Sequence, residues 1–245
     1  MDQIICLGDS ITQHGWDVGK RGWVAQLSQA YVRRLDVLSR GFSGYNTRWT
    51  TPLLTQMLPR SLLGTRLITV FFGANDAQHA PLKQHVPLGE FVQNTRAIIE
   101  NLKEKAPFAR IILITPPPVG DSLWAKTREA EGRVADRTNV VTRQYAAAVV
   151  GLAAELAVPC VDLWTVIETK REAHNGLPFA GYEVFSWDGL HLNENGNDVL
   201  FNEVLRTIRL NYADLDPDVL PFVLPAHTEI VEGTREELLG FVLGE

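Results

Sequence analysis

Short apolar runs alternate with stretches of helical spacing along the whole chain. Residues 3–7 (QIICL) form an apolar run closed by Gly8, and residues 66–72 (RLITVFF) end in Gly73. Their β-branched and aromatic content predicts buried strands. Further strands are predicted over 36–42, over 110–115, where a triple proline at 116–118 stops the run, and over 158–163. Helical spacing covers 23–34, 53–58 as part of a short helix, 87–105, 139–156 and 194–210, with Asn193 as an N-cap. Five strands in βα alternation predict a three-layer α/β/α sheet that is parallel and flavodoxin-like or Rossmann-like, with the flavodoxin strand order 2-1-3-4-5.

From residue 214 the pattern changes. Pro217, Pro221 and Pro225 punctuate an extended stretch, and Thr234 with Glu237 fits a capping box before a last apolar turn. The chain is therefore divided into a domain over 1–213 and an arm over 214–245. The arm is expected either to strap over its own domain or to reach a partner subunit and make a homodimer.

A length of 245 residues with 45% hydrophobic content suits one large α/β domain with an appendage. The net charge of -6, with no block of like charge, argues against nucleic acid and anionic membrane surfaces as partners. No basic leader precedes the short apolar run at 4–7, and the apolar region 145–158 is broken by Glu155 and too short to span a bilayer. The expectation is a cytoplasmic protein. Cys6 and Cys160 fall in predicted strands and read as small hydrophobes; no CxxC pair suggests a metal site. The nucleotide fingerprint GxGxxG is missing after the first strand, and there is no GxxxxGK[ST] sequence.

Candidate chemistry gathers at strand ends. Gly8-Asp9-Ser10, Gly44-Tyr45-Asn46, Gly73-Ala74-Asn75-Asp76 and Asp188-Gly189-Leu190-His191 each offer a group that acyl transfer needs. With the predicted strand order, the loops bearing Ser10, Gly44 and Asn75 share one crevice at the carboxyl edge of the sheet. The connection 174–190 is long enough to swing Asp188 and His191 back over it. Ser10 is the candidate nucleophile, His191 its general base and Asp188 the carboxylate that orients the imidazole. The N–H groups of Ser10 and Gly44 and the Asn75 carboxamide are candidate oxyanion donors.

These four blocks, GDSIT (8–12), GYN (44–46), GAND (73–76) and DGLH (188–191), resemble those of the SGNH, or GDSL-type, hydrolases, in the same order and over roughly residues 2–210. Within that family GDSITQHGW (8–16), GANDA (73–77) and DGLHLN (188–193) are similar to the branch of isoamyl acetate-hydrolysing esterases. The resemblance implies the SGNH hydrolase fold, a serine carboxylesterase acting on small short-chain acyl esters, and no metal or other cofactor. It does not extend to the arm. The GxSxG elbow of α/β-hydrolases is absent.

Other residues receive plainer readings. Asp9 and Asp76 are expected to brace their turns through backbone hydrogen bonds. His14 lacks an orienting carboxylate and is read as a cleft-wall or surface residue; His79, His85, His174 and His227 are expected to be solvated. Trp16, Trp49, Phe185 and Trp187 flank the motif loops; about half of them are expected in the core and the others are candidates for the substrate pocket. Two rival functions are a metal-dependent phosphoesterase using Asp9, Asp76, Asp188 and His191, and a non-catalytic ligand-binding module.

Overall fold

The computed structural model describes residues 1–173 and 181–229. Its strands are β1 (Gln3–Gly8), β2 (Asp36–Gly41), β3 (Thr65–Phe71), β4 (Arg110–Ile114) and β5 (Cys160–Val161). All pair in parallel, in the order β2-β1-β3-β4-β5. This is the flavodoxin-like sheet that the alternation predicts.

The helices are α1 (Ser10–His14), α2 (Trp23–Ala30), α3 (Thr47–Met57), α4 (Leu88–Lys105), α5 (Asp121–Ala130), α6 (Asn139–Glu155), α7 (Leu163–Ala173) and α8 (Glu194–Asn211). Strand alternation assigns them to layers. Ile4 and Cys6 of β1 join Trp23 and Leu27 of α2 and Leu200 and Ile208 of α8 in one core cluster. Ile5 and Leu7 point the other way, into a cluster with Leu54 of α3, Phe91 and Ile98 of α4 and Tyr145 of α6. Each fully buried large apolar side chain contributes about 1.5–3 kcal/mol, so the sheet is held from both faces.

Register places the crevice. Gly8 at the end of β1 is level with Gly41 of β2 and Phe71 of β3. The loops that follow these three strands therefore leave the sheet side by side.

The structure revises several element boundaries. α3 starts at Thr47, six residues before the expected segment, with Asn46 as N-cap and Pro52 inside the helix. The predicted strand 158–163 pairs only at Cys160–Val161, and helix α7 begins at Leu163. Neither α7 nor α5 has the clean apolar spacing that reveals a helix in sequence. In α5 the buried side chains are Trp124 and Arg128, an aromatic and an ion-paired cation.

Beyond α8 the chain folds back along the end of α2. Leu215 is fully buried, and Tyr31 Oη donates to its carbonyl at 2.6 Å. Arg34 donates to the carbonyl of Leu220, and Arg33 to those of Leu224 and Pro225. The capping box at Thr234 and Glu237, like His174, lies outside the described residues. Cys6 and Cys160 are free thiols, and burial pushes both up to about 12. Among the described residues no helix is long and apolar enough to cross a membrane.

Candidate active site

Ser10 is the first residue of α1, immediately after β1. The helix is capped by its predecessor: Asp9 Oδ1 accepts from the N–H of Ile11 at 2.9 Å. Ser10 itself is thus left with its hydroxyl free of a capping role and its own N–H without an intrahelical acceptor. That hydroxyl lies 2.9 Å from His191 Nε2, across 181 residues of sequence.

The imidazole is fixed from both sides. His191 Nδ1 donates to Asp188 Oδ2 at 2.6 Å, which leaves Nε2 as the acceptor facing Ser10. Asp188 Oδ1 in turn accepts from the N–H groups of Leu190 and His191, at 2.8 and 2.7 Å. Gly189, at φ +95°, makes this tight turn, and a Cβ there would come within 2.5 Å of the Trp124 nitrogen. Burial pushes the Asp188 carboxyl up, yet the hydrogen bonds from His191 and Leu190 outweigh it and hold the group below its ordinary value. The Trp187 ring stacks on His191 at 5.4 Å between centroids, and His14 meets it edge-on at 5.3 Å. His14, expected at the cleft wall or surface, is half-buried and forms that wall; burial, then His191 and Lys20, hold its pKa below the ordinary value.

The opposite wall carries Gly44 and Asn75. Gly44 adopts φ +80°, where any side chain is strained, and a Cβ would sit 3.3 Å from Gln84 Nε2. Asn75 is 3% exposed. Its Nδ2 donates to the carbonyl of Tyr45 at 2.8 Å, and its Oδ1 accepts from Arg137 Nη2 at 3.0 Å. With one amide hydrogen and the oxygen both engaged, the carboxamide is locked and its second hydrogen stays available.

Arg137 escapes a reading by sequence motif, and it organises this wall. Its guanidinium is buried and donates to Ala74 O, Asn75 Oδ1, Gln84 Oε1 and Asp136 Oδ1. Gln84 then donates to the carbonyl of Gly44 at 2.8 Å, so one cation braces both the Asn75 and the Gly44 loops. Burial pushes the Asp136 carboxyl up, but Arg137, Gln78, Trp124 and Arg128 outweigh it and bring it down to about 2. The only hint in the sequence is an adjacent Asp-Arg pair in the polar stretch before α6.

Asp9 and Asp76 act as the expected braces. Asp76 Oδ1 takes the N–H and the hydroxyl of Thr47 at the start of α3, at 2.9 and 2.5 Å. One oxygen of each carboxylate serves a helix start, while Oδ2 of each is buried without a hydrogen-bond partner. Among the described residues no three His, Cys, Asp or Glu side chains are placed to hold a metal ion. His85, expected to be solvated, donates from Nδ1 to the carbonyl of Gln78 at 2.6 Å.

The four candidate pocket aromatics separate. Trp49 lines a hollow of about 530 Å³ that opens beside Gly44. Trp187 covers His191 and is 47% exposed, while Trp16 is 45% exposed and stands outside that hollow. Phe185 belongs to the core instead: it is 5% exposed and packs in the cluster of α2 and α8. Its backbone, more than its ring, serves the motif, since its carbonyl accepts from Asn193.

Residues 6–199 match the sequence pattern of the GDSL-like lipase/acylhydrolase family. The chain belongs to that family. Membership makes it a carboxylic ester hydrolase. An isoamyl acetate-hydrolyzing esterase 1 homolog of Bos taurus is 38% identical over 244 residues, covering 97% of this chain and 92% of the relative. A GDSL esterase/lipase of Arabidopsis thaliana is 38% identical over 237 residues, covering 93% of each. Among solved structures, a possible lipase from Chitinophaga pinensis superposes with a TM-score of 0.64 over 85% of this chain and 98% of its own, at 19% identity. That likeness bears on the fold.

Proposed function

We propose that this family member hydrolyses short-chain, acetate-type esters through an acyl-enzyme on Ser10. The observation that carries the reading is the hydrogen-bonded series from Ser10 Oγ to His191 Nε2 at 2.9 Å and from His191 Nδ1 to Asp188 Oδ2 at 2.6 Å. His191 takes the proton as Ser10 Oγ attacks the ester carbonyl, and the resulting imidazolium is stabilised by Asp188. Charge that builds on the carbonyl oxygen meets the N–H groups of Ser10 and Gly44 and the free amide hydrogen of Asn75. His191 then returns the proton to the departing alcohol, and a water activated by the same nitrogen releases the acid.

Two observations support the substrate class. The relatives from Bos taurus, Homo sapiens and other mammals carry the isoamyl acetate description at 35–38% identity. Trp187 and His14, flanking the base, offer aromatic surface to a leaving alcohol, with Lys20 Nζ 4.2 Å from the centroid of the Trp187 ring. Residues 1–213 form the catalytic unit in this reading, and the arm from 214 braces it, as the bonds from Tyr31, Arg33 and Arg34 suggest.

A panel of acetyl to decanoyl esters, run on the wild type and on Ser10→Ala, tests the proposal. The wild type should turn over acetyl and butyryl esters best, and Ser10→Ala should lose roughly 10³-fold or more. A variant that retains wild-type turnover would refute the nucleophile assignment, and a decanoyl optimum would refute the chain-length assignment.

A further inference from the structure

We propose that the hollow beside Gly44 is a subsite for an anionic group, so that esters bearing a carboxylate on their acyl or alcohol side are preferred over neutral esters of the same shape. This rests on the reading of Gly44 as an oxyanion donor. A carbonyl oxygen held by the Gly44 N–H puts the carbonyl carbon within about 4 Å of that nitrogen. A substituent on that carbon extends past the Gly44 loop within a few bonds, and the hollow lies there.

Its wall has three cations and no carboxylate: Lys83, Arg128 and Arg133 line it with Tyr45 and Trp49. Glu131, outside the lining, lies 2.5 Å from Arg128 and 3.7 Å from Arg133. Asp136 reaches Arg128 from behind at 3.5 Å, but its shorter pairing, 2.8 Å, is with Arg137. Lys83 has no carboxylate within ion-pair distance among the described residues, and its Nζ stands 5.8 Å from the Trp49 ring centroid. Positive charge is thus in excess at this spot in a chain whose net charge is -6.

Donor accounting points the same way. Gln84 is already committed, giving Nε2 to Gly44 and taking Arg137 on Oε1. Gln78 is committed too, giving Nε2 to Asp136 and taking the N–H of Gln84. The charged donors that line the hollow are Lys83, Arg128 and Arg133. Arg128 is only 9% exposed, and its buried Nε–H has no hydrogen-bond partner. Its guanidinium pairs with Glu131 and lies over the Trp124 ring, so Lys83 and Arg133 are the more accessible charges of the hollow. The flat face of Trp49 covers the apolar part of such a substrate.

The test compares kcat/KM within two matched pairs on the full chain at low salt. The acyl-side pair is 4-nitrophenyl hemisuccinate against 4-nitrophenyl methyl succinate. The alcohol-side pair is 3-acetoxybenzoate against its methyl ester. In at least one pair the anion should be favoured tenfold or more, and that pair names the side of the substrate that enters the hollow. Lys83→Glu combined with Arg133→Glu should cut this ratio at least tenfold; both residues are exposed, and a ratio cancels any general loss of activity. On the wild type, 0.5 M salt should shrink the ratio severalfold without any variant. Ratios near or below one in both pairs, or a preference that neither salt nor the double variant moves, would overturn the subsite while leaving the esterase reading intact. Failure of the wild type to turn over any of the four esters would overturn both.

Discussion

The two walls of the crevice are built by different means. The wall of Ser10 and His191 joins two locally built turns across 181 residues: Asp188 holds an imidazole three residues away and caps its own turn, and Asp9 caps the helix that Ser10 begins. The wall of Gly44 and Asn75 is remote. It is held by Arg137, which binds Asn75 from 62 residues away and Gln84 from 53. Short-range hydrogen bonds orient the proposed nucleophile and the proposed base separately, and the fold then brings the two together. The proposed oxyanion donors come from separate loops and must converge on one point, and a buried cation with several donors in fixed geometry is suited to align them.

Substitutions on each wall should fail differently. Asp188→Asn should have the largest effect, lowering kcat by about 10⁴, because an amide that donates to Nδ1 turns the lone pair of His191 away from Ser10. A loss under tenfold would show that the turn alone orients the ring. Asn75→Ala should lower kcat by about 10²–10³ with little change in KM, since its free hydrogen matters when charge develops. Arg137→Lys should reproduce part of that kcat loss, about tenfold, with KM again unmoved. It should also destabilise the fold, because a lysine cannot satisfy four acceptors at once. If Arg137→Lys altered stability alone, the remote wall would be scaffolding without a catalytic consequence.

The smallest effect concerns stability. Burial raises the Asp9 carboxyl to about 7, above the usual carboxylate range, and its Oδ2 has no hydrogen-bond partner. The folded protein therefore holds this proton more tightly than the unfolded chain does. The resulting stability is fully present below about pH 4 and is lost as pH rises towards 7. Asp76, raised to about 6 by burial, adds to the same trend. In urea unfolding, Asp9→Asn should become more stable relative to wild type between pH 4 and pH 7.5; a difference that stays flat with pH would contradict a raised carboxyl.

The same division explains what the sequence discloses. β1 and β3 are legible because their apolar runs feed both faces of the sheet and stop at glycine. Ser10, Gly44, Asn75, Asp188 and His191 could be singled out because each sits in a short block at a strand end or tight turn. Arg137 was hidden because its distant partners Ala74, Asn75 and Gln84 lie in the connection between β3 and α4, and nothing in its neighbours implies them. Phe185 stayed ambiguous because an aromatic next to a motif can face either way, and only packing shows that it turns into the core. Helix α5 was missed because its inner face is Trp124 with a cation stacked on it at 4.1 Å, which lacks an apolar period.

A single nucleophile should carry the chemistry, and a labelling experiment addresses it directly. The full chain should be treated with an alkyl fluorophosphonate, digested, and its peptides weighed by mass spectrometry. One phosphonyl group per chain is expected, on the peptide containing Ser10, with labelling slowed at least 10²-fold by His191→Ala. Stoichiometric labelling at another residue, or Ser10 labelling at an unchanged rate in His191→Ala, would contradict the account.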